Sequence, residues 1–174
     1  DQIYLLGETH QELGASELSY MLSEETGGGI GNDVPQINTT RNLTLYRALT
    51  SAMGEGLVRS AHDCSDGGLA VAVAECCFGC DGATTINLDD LVSSDADLWA
   101  VMFGESLGRI LVSVKPENAT EFETAMQGNA VTHIGTVDDK KTLEFEHQGE
   151  TVLKASLSKL LHSWKDTLNM GGEH

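Results

Sequence analysis

The chain has 174 residues, 40% of them apolar and 19 of them glycine, which suits one globular domain with a sizeable core and does not indicate a disordered chain. Its 27 acidic against 10 basic residues give a net charge of −17, which argues against binding a nucleic-acid backbone or an anionic membrane, since both need clustered Lys and Arg. No apolar run approaches the roughly 20 residues that span a bilayer, and no basic segment with a following apolar one opens the chain, so a cytoplasmic location is expected. The chain starts at Asp1 and runs directly into strand-like sequence, as expected of a fragment of a longer multidomain polypeptide.

Residues 3–7 read as a strand and residues 16–23 as a short helix. GGGIG at 27–31, followed by Asn32, Asp33 and Pro35, is turn chemistry without the Lys and Ser or Thr of a phosphate-cradling loop. Asn38 to Thr40 lead into a helix whose Leu43, Tyr46, Leu49 and Met53 recur at three and four and predict a core face, stopped by Gly54 and Gly56. Residues 60–62 read as a strand end and residues 69–78 as an alanine-rich helix closed by Gly79. Residues 83–87 suggest a strand. Asp89, Asp90, Asp95 and Asp97 then form a solvated acidic stretch lacking the spacing of a calcium loop. Ile110, Val112 and Val114 alternate as a strand, Pro116 opens a helix carrying Ala119, Phe122 and Met126, and residues 131–137 return as a strand. His147, Gln148, Gly149 and Glu150 read as the turn of a late hairpin. Leu157, Leu160, Leu161, Trp164 and Leu168 predict a buried stripe on the last helix, with Lys159, His162 and Asp166 outside and residues 170–174 as a disordered tail. Strands and helices so mixed imply an α/β (α+β) domain spanning 1–174, a mixed sheet in three α/β/α layers.

The chemistry concentrates in SAHDCSDGGLAVAVAE, residues 60–75. A strand, a turn with two carboxylates and two glycines, and a helix start follow one another. The first N–H groups of such a helix attract anions. Asp63 and Asp66 would repel a phosphate unless a hard cation such as magnesium lay between them. Ser65 or Asp66 serves equally as a simple N-cap, so both readings stand at this point. Cys64, Cys76, Cys77 and Cys80 include a single C-x-x-C pair, with His62 the nearby histidine. A structural zinc needs four ligands, and none is expected.

HDCSDGGLAVAVAE resembles the second-domain signature of the aminoimidazole ribonucleotide (AIR) synthetase superfamily. IYLLGETHQELGASE at 3–17 is similar to the entry strand and ELGGSEY-type segment of its phosphoribosylformylglycinamidine synthase branch, with Ala15 in place of a glycine and Leu18 in place of tyrosine. FGESLGR at 103–109 and the closing LSKLLHSWKDTL resemble that branch as well, so the likeness covers essentially the whole chain and points to the last domain of the synthetase polypeptide. The AIR synthetase, selenophosphate synthetase, thiamine monophosphate kinase and hydrogenase maturation branches share the Asp-Gly-Gly element but fit ELGASE and FGES less well.

The resemblance implies an ATP-dependent ligase of purine biosynthesis that converts formylglycinamide ribonucleotide, ATP and glutamine-derived ammonia to formylglycinamidine ribonucleotide. Mg-ATP is then the cofactor. Partners are the preceding domains of the polypeptide, a glutaminase subunit and a small bridging subunit. Carried over residue by residue, Asp63 is a candidate magnesium ligand, and Ser65, Asp66, Gly67, Gly68, Glu105, Ser106 and Arg109 are candidate nucleotide or phosphate contacts. Leu107 replaces a polar residue of the pattern. No catalytic residue is expected here and the isolated chain is expected to be inactive. It acts either as an auxiliary nucleotide half-site or as a scaffold.

Overall fold

A computed structural model describes residues 1–79, 82–92 and 98–166. Cys80 of the C-x-x-C pair, Asp95, Asp97, Leu168 and the tail at 170–174 lie outside the described residues.

The elements run β1 (Gln2–Leu6), α1 (Glu17–Thr26), α2 (Thr39–Gly54), β2 (Ser60–Asp63), α3 (Gly68–Phe78), β3 (Ala83–Asn87), α4 (Leu98–Phe103), β4 (Ile110–Val114), α5 (Ala119–Ala125), β5 (Val131–Asp138), β6 (Thr142–His147), β7 (Glu150–Ser156) and α6 (Leu157–Asp166). The seven strands form one sheet in the order β2-β4-β1-β5-β3-β6-β7. Its pairs are antiparallel except β3 with β6, so the sheet is mixed as expected.

β1 lies inside the sheet, between β4 and β5, because four apolar residues in a row let it be buried on both faces. Ile3 and Leu5 point into one core with α3, Val101 and Met102 of α4, and Phe145. Tyr4 and Leu6 point into the other with Leu45, Leu49 and Ala52 of α2 and Phe122 of α5. Fully burying side chains of this size favours folding by roughly 1.5–3 kcal/mol each. Helices therefore cover both faces, giving three layers. The late hairpin closes at Gln148 and Gly149, both at positive φ (52° and 77°), the backbone of a two-residue turn that follows the strand twist.

Two expectations change and one element is added. On α2 the buried residues are Leu45, Leu49 and Ala52, while Leu43, Tyr46 and Met53 are 49%, 41% and 50% exposed. The stripe that spacing singled out is turned sideways from the sheet and shares only Leu49 with the core. The α6 stripe is half-buried at Leu157, Leu160 and Leu161, and Trp164 stands exposed with its ring 5.6 Å from Phe78. At the edge of the sheet α6 has a wall on one side only. Finally, six-residue α4 was not foreseen, being too short to show a period.

α1 starts where Ser16 Oγ accepts from Ser19 N at 3.2 Å. One residue earlier Ala15 sits at φ 59°, left-handed backbone that costs an L-residue about 1–2 kcal/mol. Its side chain is exposed, so a methyl lost there gives up little packing. Ala15→Gly is therefore expected to raise stability by about 1 kcal/mol, read as a higher urea midpoint at unchanged slope. An equal or lower midpoint would show that the turn carries no such strain.

Candidate functional site

The chain from β2 to α3 turns under the loop joining α4 to β4. Together they wall a cleft of about 520 Å³ lined by Pro35, Tyr46, Asp63, Cys64, Ser65, Asp66, Glu105, Leu107, Gly108, Arg109 and Ile110. Five candidates from the sequence thus meet in one hollow: Asp63, Ser65, Asp66, Glu105 and Arg109. Gly67, Gly68 and Ser106 do not line it. Tyr46, Pro35 and Leu107 were missed; the exposed stripe on α2 was the signal for Tyr46.

The helix start is not capped by Ser65 or Asp66. Its N-cap is Gly67, at φ 77°, with no side-chain cap bond. Instead Glu105 Oε1 accepts from Gly67 N at 2.8 Å and from Glu17 N, the first residue of α1, at 2.9 Å. One carboxylate oxygen therefore lies between the starts of two helices, where their unpaired N–H groups and dipoles favour negative charge. The chain supplies from within itself the anion that the sequence suggested a ligand would bring. Charge-assisted bonds of this kind contribute about 1.5–3 kcal/mol at well-ordered sites. Glu105→Ala is expected to lower unfolding free energy by about 2 kcal/mol in urea titration. Glu105→Gln, which keeps one acceptor, should lose about half as much. Equal stability for all three proteins would show that the bridge contributes nothing.

The second glycine has its own reason. Gly68 is at φ 65°, and a Cβ there would run into the Gly104 carbonyl oxygen and lie 2.9 Å from the Phe103 carbonyl carbon. The double glycine thus lets the end of α4 lie against the start of α3.

Arg109 is 1% exposed. Its guanidinium donates to the carbonyl oxygens of Val101, at 3.0 Å, and Gly104, tying up the open carbonyls where α4 ends. A weaker contact reaches Thr9 Oγ1 at 3.4 Å, and Nε has no partner among the described residues. Burial pulls the Arg109 pKa below its ordinary value, opposed at neutral pH by the carboxylates of Glu12 and Glu105. Ser106, also 1% exposed, accepts from His10 N at 3.1 Å and so ties FGES to the segment after β1. Burial pushes the Cys64 thiol up to about 11, which leaves it protonated and unreactive at neutral pH.

Asp63 and Asp66 remain as the outward carboxylates. The Ser65 hydroxyl donates to Asp63 Oδ2 and holds that carboxyl below its ordinary value. Among the described residues no three His, Cys, Asp or Glu side chains gather as a metal site. With Glu105 engaged by two backbone N–H groups, this donor set does not by itself fit a resident magnesium. Asp89, in the acidic stretch, accepts from Gln148 N at 2.7 Å and ties the hairpin turn to the end of β3.

The sequence profile of the AIR synthase related protein, C-terminal domain family matches residues 1–148. The chain belongs to that family. As an AIR synthase related domain it is 38% identical over 168 residues to a phosphoribosylformylglycinamidine synthase subunit PurL of Lactobacillus acidophilus, covering 97% of this chain and 21% of the relative. Its fold is similar to that of Thermotoga maritima PurL complexed with FGAR, with a TM-score of 0.77 and 19% identity over 92% of this chain and 27% of that one. The T. maritima protein complexed with ATP gives 0.67 and 18% over 92% and 25%. The domain thus spans about a fifth of the curated relative and a quarter of the solved chains. Among the described residues no helix is long and apolar enough to cross a membrane.

Proposed function

We propose that residues 1–174 are a single domain of a phosphoribosylformylglycinamidine synthase, in which they act as scaffold. The observation that carries the assignment is 38% identity across 97% of the chain to a PurL subunit. In the proposed reaction the amide oxygen of formylglycinamide ribonucleotide takes the terminal phosphoryl group of ATP and releases ADP. Ammonia then adds to the amide carbon, and phosphate leaves with the oxygen to give the amidine. Magnesium accompanies ATP and is held largely outside this domain, because the carboxylates here do not complete a site. Ammonia reaches the parent from a glutaminase, with a small bridging subunit between them, in the cytoplasm.

Scaffold is favoured over an auxiliary nucleotide half-site by Glu105 and Arg109. Both point their charged groups into the protein's own backbone, at helix starts and at a helix end. The parent polypeptide should form ADP with formylglycinamide ribonucleotide, Mg-ATP and ammonium, and the isolated domain should not. In the parent, Asp63→Ala should leave nucleotide affinity within about twofold of wild type. Loss of ATP binding with an intact fold would instead establish the half-site, and a folded parent without substrate-dependent ADP would overturn the assignment.

A further inference from the structure

α2 carries exposed apolar residues beside the stripe it buries. At about 3.6 residues per turn, Leu45, Leu49 and Ala52 form the side packed against the sheet, Met53 and Tyr46 follow about 40° and 60° round from Leu49, and Thr50, Leu43 and Arg47 lie beyond them. A surface helix normally turns polar residues outward, and neighbouring apolar residues left exposed, as Leu43, Tyr46 and Met53 are, mark a contact surface. The charge pattern sets the same face apart. From Val34 to Gly54 there is no acidic residue, in a chain where 27 of 174 residues are acidic. Arg47 is exposed and makes no ion pair among the described residues, unlike Arg41 with Glu8 and Arg59 with Asp1.

We infer that the outer face of α2 is where the rest of the parent polypeptide packs, through a surface apolar at its centre with a carboxylate opposite Arg47. This rests on the reading of the chain as one domain of a longer synthase, since the relatives it matches are about four to five times as long. A second copy of this chain fits less well. A two-fold contact would set Arg47 near Arg47 and bring together two bodies each carrying −17. Tyr46 also lines the cleft with Asp63 and Asp66, so a domain seated on α2 closes that side of the cleft.

Hydroxyl-radical footprinting read by mass spectrometry tests this at the two oxidisable residues of the face, Met53 and Tyr46. At equal radical dose, both are expected to oxidise roughly tenfold more slowly in the parent protein than in the isolated chain, as water is excluded from the centre of an interface. Should the isolated chain not hold its fold, the parent unfolded in urea gives the reference rate; a half-exposed Met53 would then be slowed only about twofold. Equal rates in parent and isolated chain overturn the inference. So does protection in the isolated chain that grows with its concentration, which would assign the face to a second copy. ADP formation measured on the same parent sample separates the two claims. Protection without substrate-dependent ADP keeps the surface and fells the synthase reading; activity without protection does the reverse.

Discussion

Gly68→Ala is expected to cost about 4 kcal/mol, a large loss for a single added methyl group. Two penalties coincide there. Left-handed backbone costs an L-residue about 1–2 kcal/mol. The new Cβ would also meet main-chain atoms at the end of α4, the Gly104 oxygen and the Phe103 carbonyl carbon, which have no rotamer to change. Relief requires moving α4, whose Val101 and Met102 are in the core, and forced shifts of that kind cost about 1–3 kcal/mol more. The neighbouring glycine is the control. Gly67 is at φ 77°, but a Cβ there meets only the side chain of Val71, which is exposed, and no main-chain atom. Gly67→Ala should therefore cost only about 1–2 kcal/mol. In thermal melts the two variants should lie several degrees apart, at roughly 2–4 °C per kcal/mol for a domain of this size. Equal losses would mean that α4 yields to the intruding methyl, and the account of the second glycine would fall.

The same pair of glycines shows how far the sequence could be read. Strand, turn and helix around Asp63 to Phe78 were legible because local chemistry decides them: an alternating strand end, turn residues, an alanine-rich run and a closing glycine. Three layers were legible because amphipathic helices alternate with strands. The role of the double glycine was not, because its cause is a contact with Gly104, 36 residues further on and at the end of a helix too short to show a period. Glu105 was picked out by its motif, yet its partners are the N–H groups of Gly67 and Glu17, and spacing carries no record of backbone donors. On α2 the period was right and the phase ambiguous. Leu43, Tyr46 and Met53 form as good a stripe as Leu45, Leu49 and Ala52, and only packing against β1 and β4 decides between them. Where such a helix has two good stripes, the unused one is information about a neighbour.

Replacing Arg109 by Met should lower stability by about 3 kcal/mol although it removes a buried charge, and the sign of that result separates two accounts of the residue. If the guanidinium were chiefly a burden taken out of water, an apolar side chain of similar length would be neutral or stabilising, as for many buried ion pairs. Arg109, however, is bonded to main chain. The carbonyls of Val101 and Gly104 close α4 inside the protein, and without the guanidinium each becomes a buried acceptor with no donor, costing about 1–3 kcal/mol. Two such acceptors outweigh the gain from removing the charge. Arg109→Lys refines the test through pH. An ammonium presents a point charge instead of a fork, and burial lowers its pKa below the unfolded value. The unfolded state then binds more protons than the folded one, so the stability of the Lys variant should rise as pH increases from 7 to about 10. At Arg109 itself the guanidinium stays charged over that range, and the Met variant has nothing at this position to titrate. The slope, taken as the difference in urea unfolding free energy between each variant and wild type across the range, should therefore appear in the Lys variant alone. A Met variant as stable as wild type would show that α4 finds other donors and that Arg109 is not the residue that closes it.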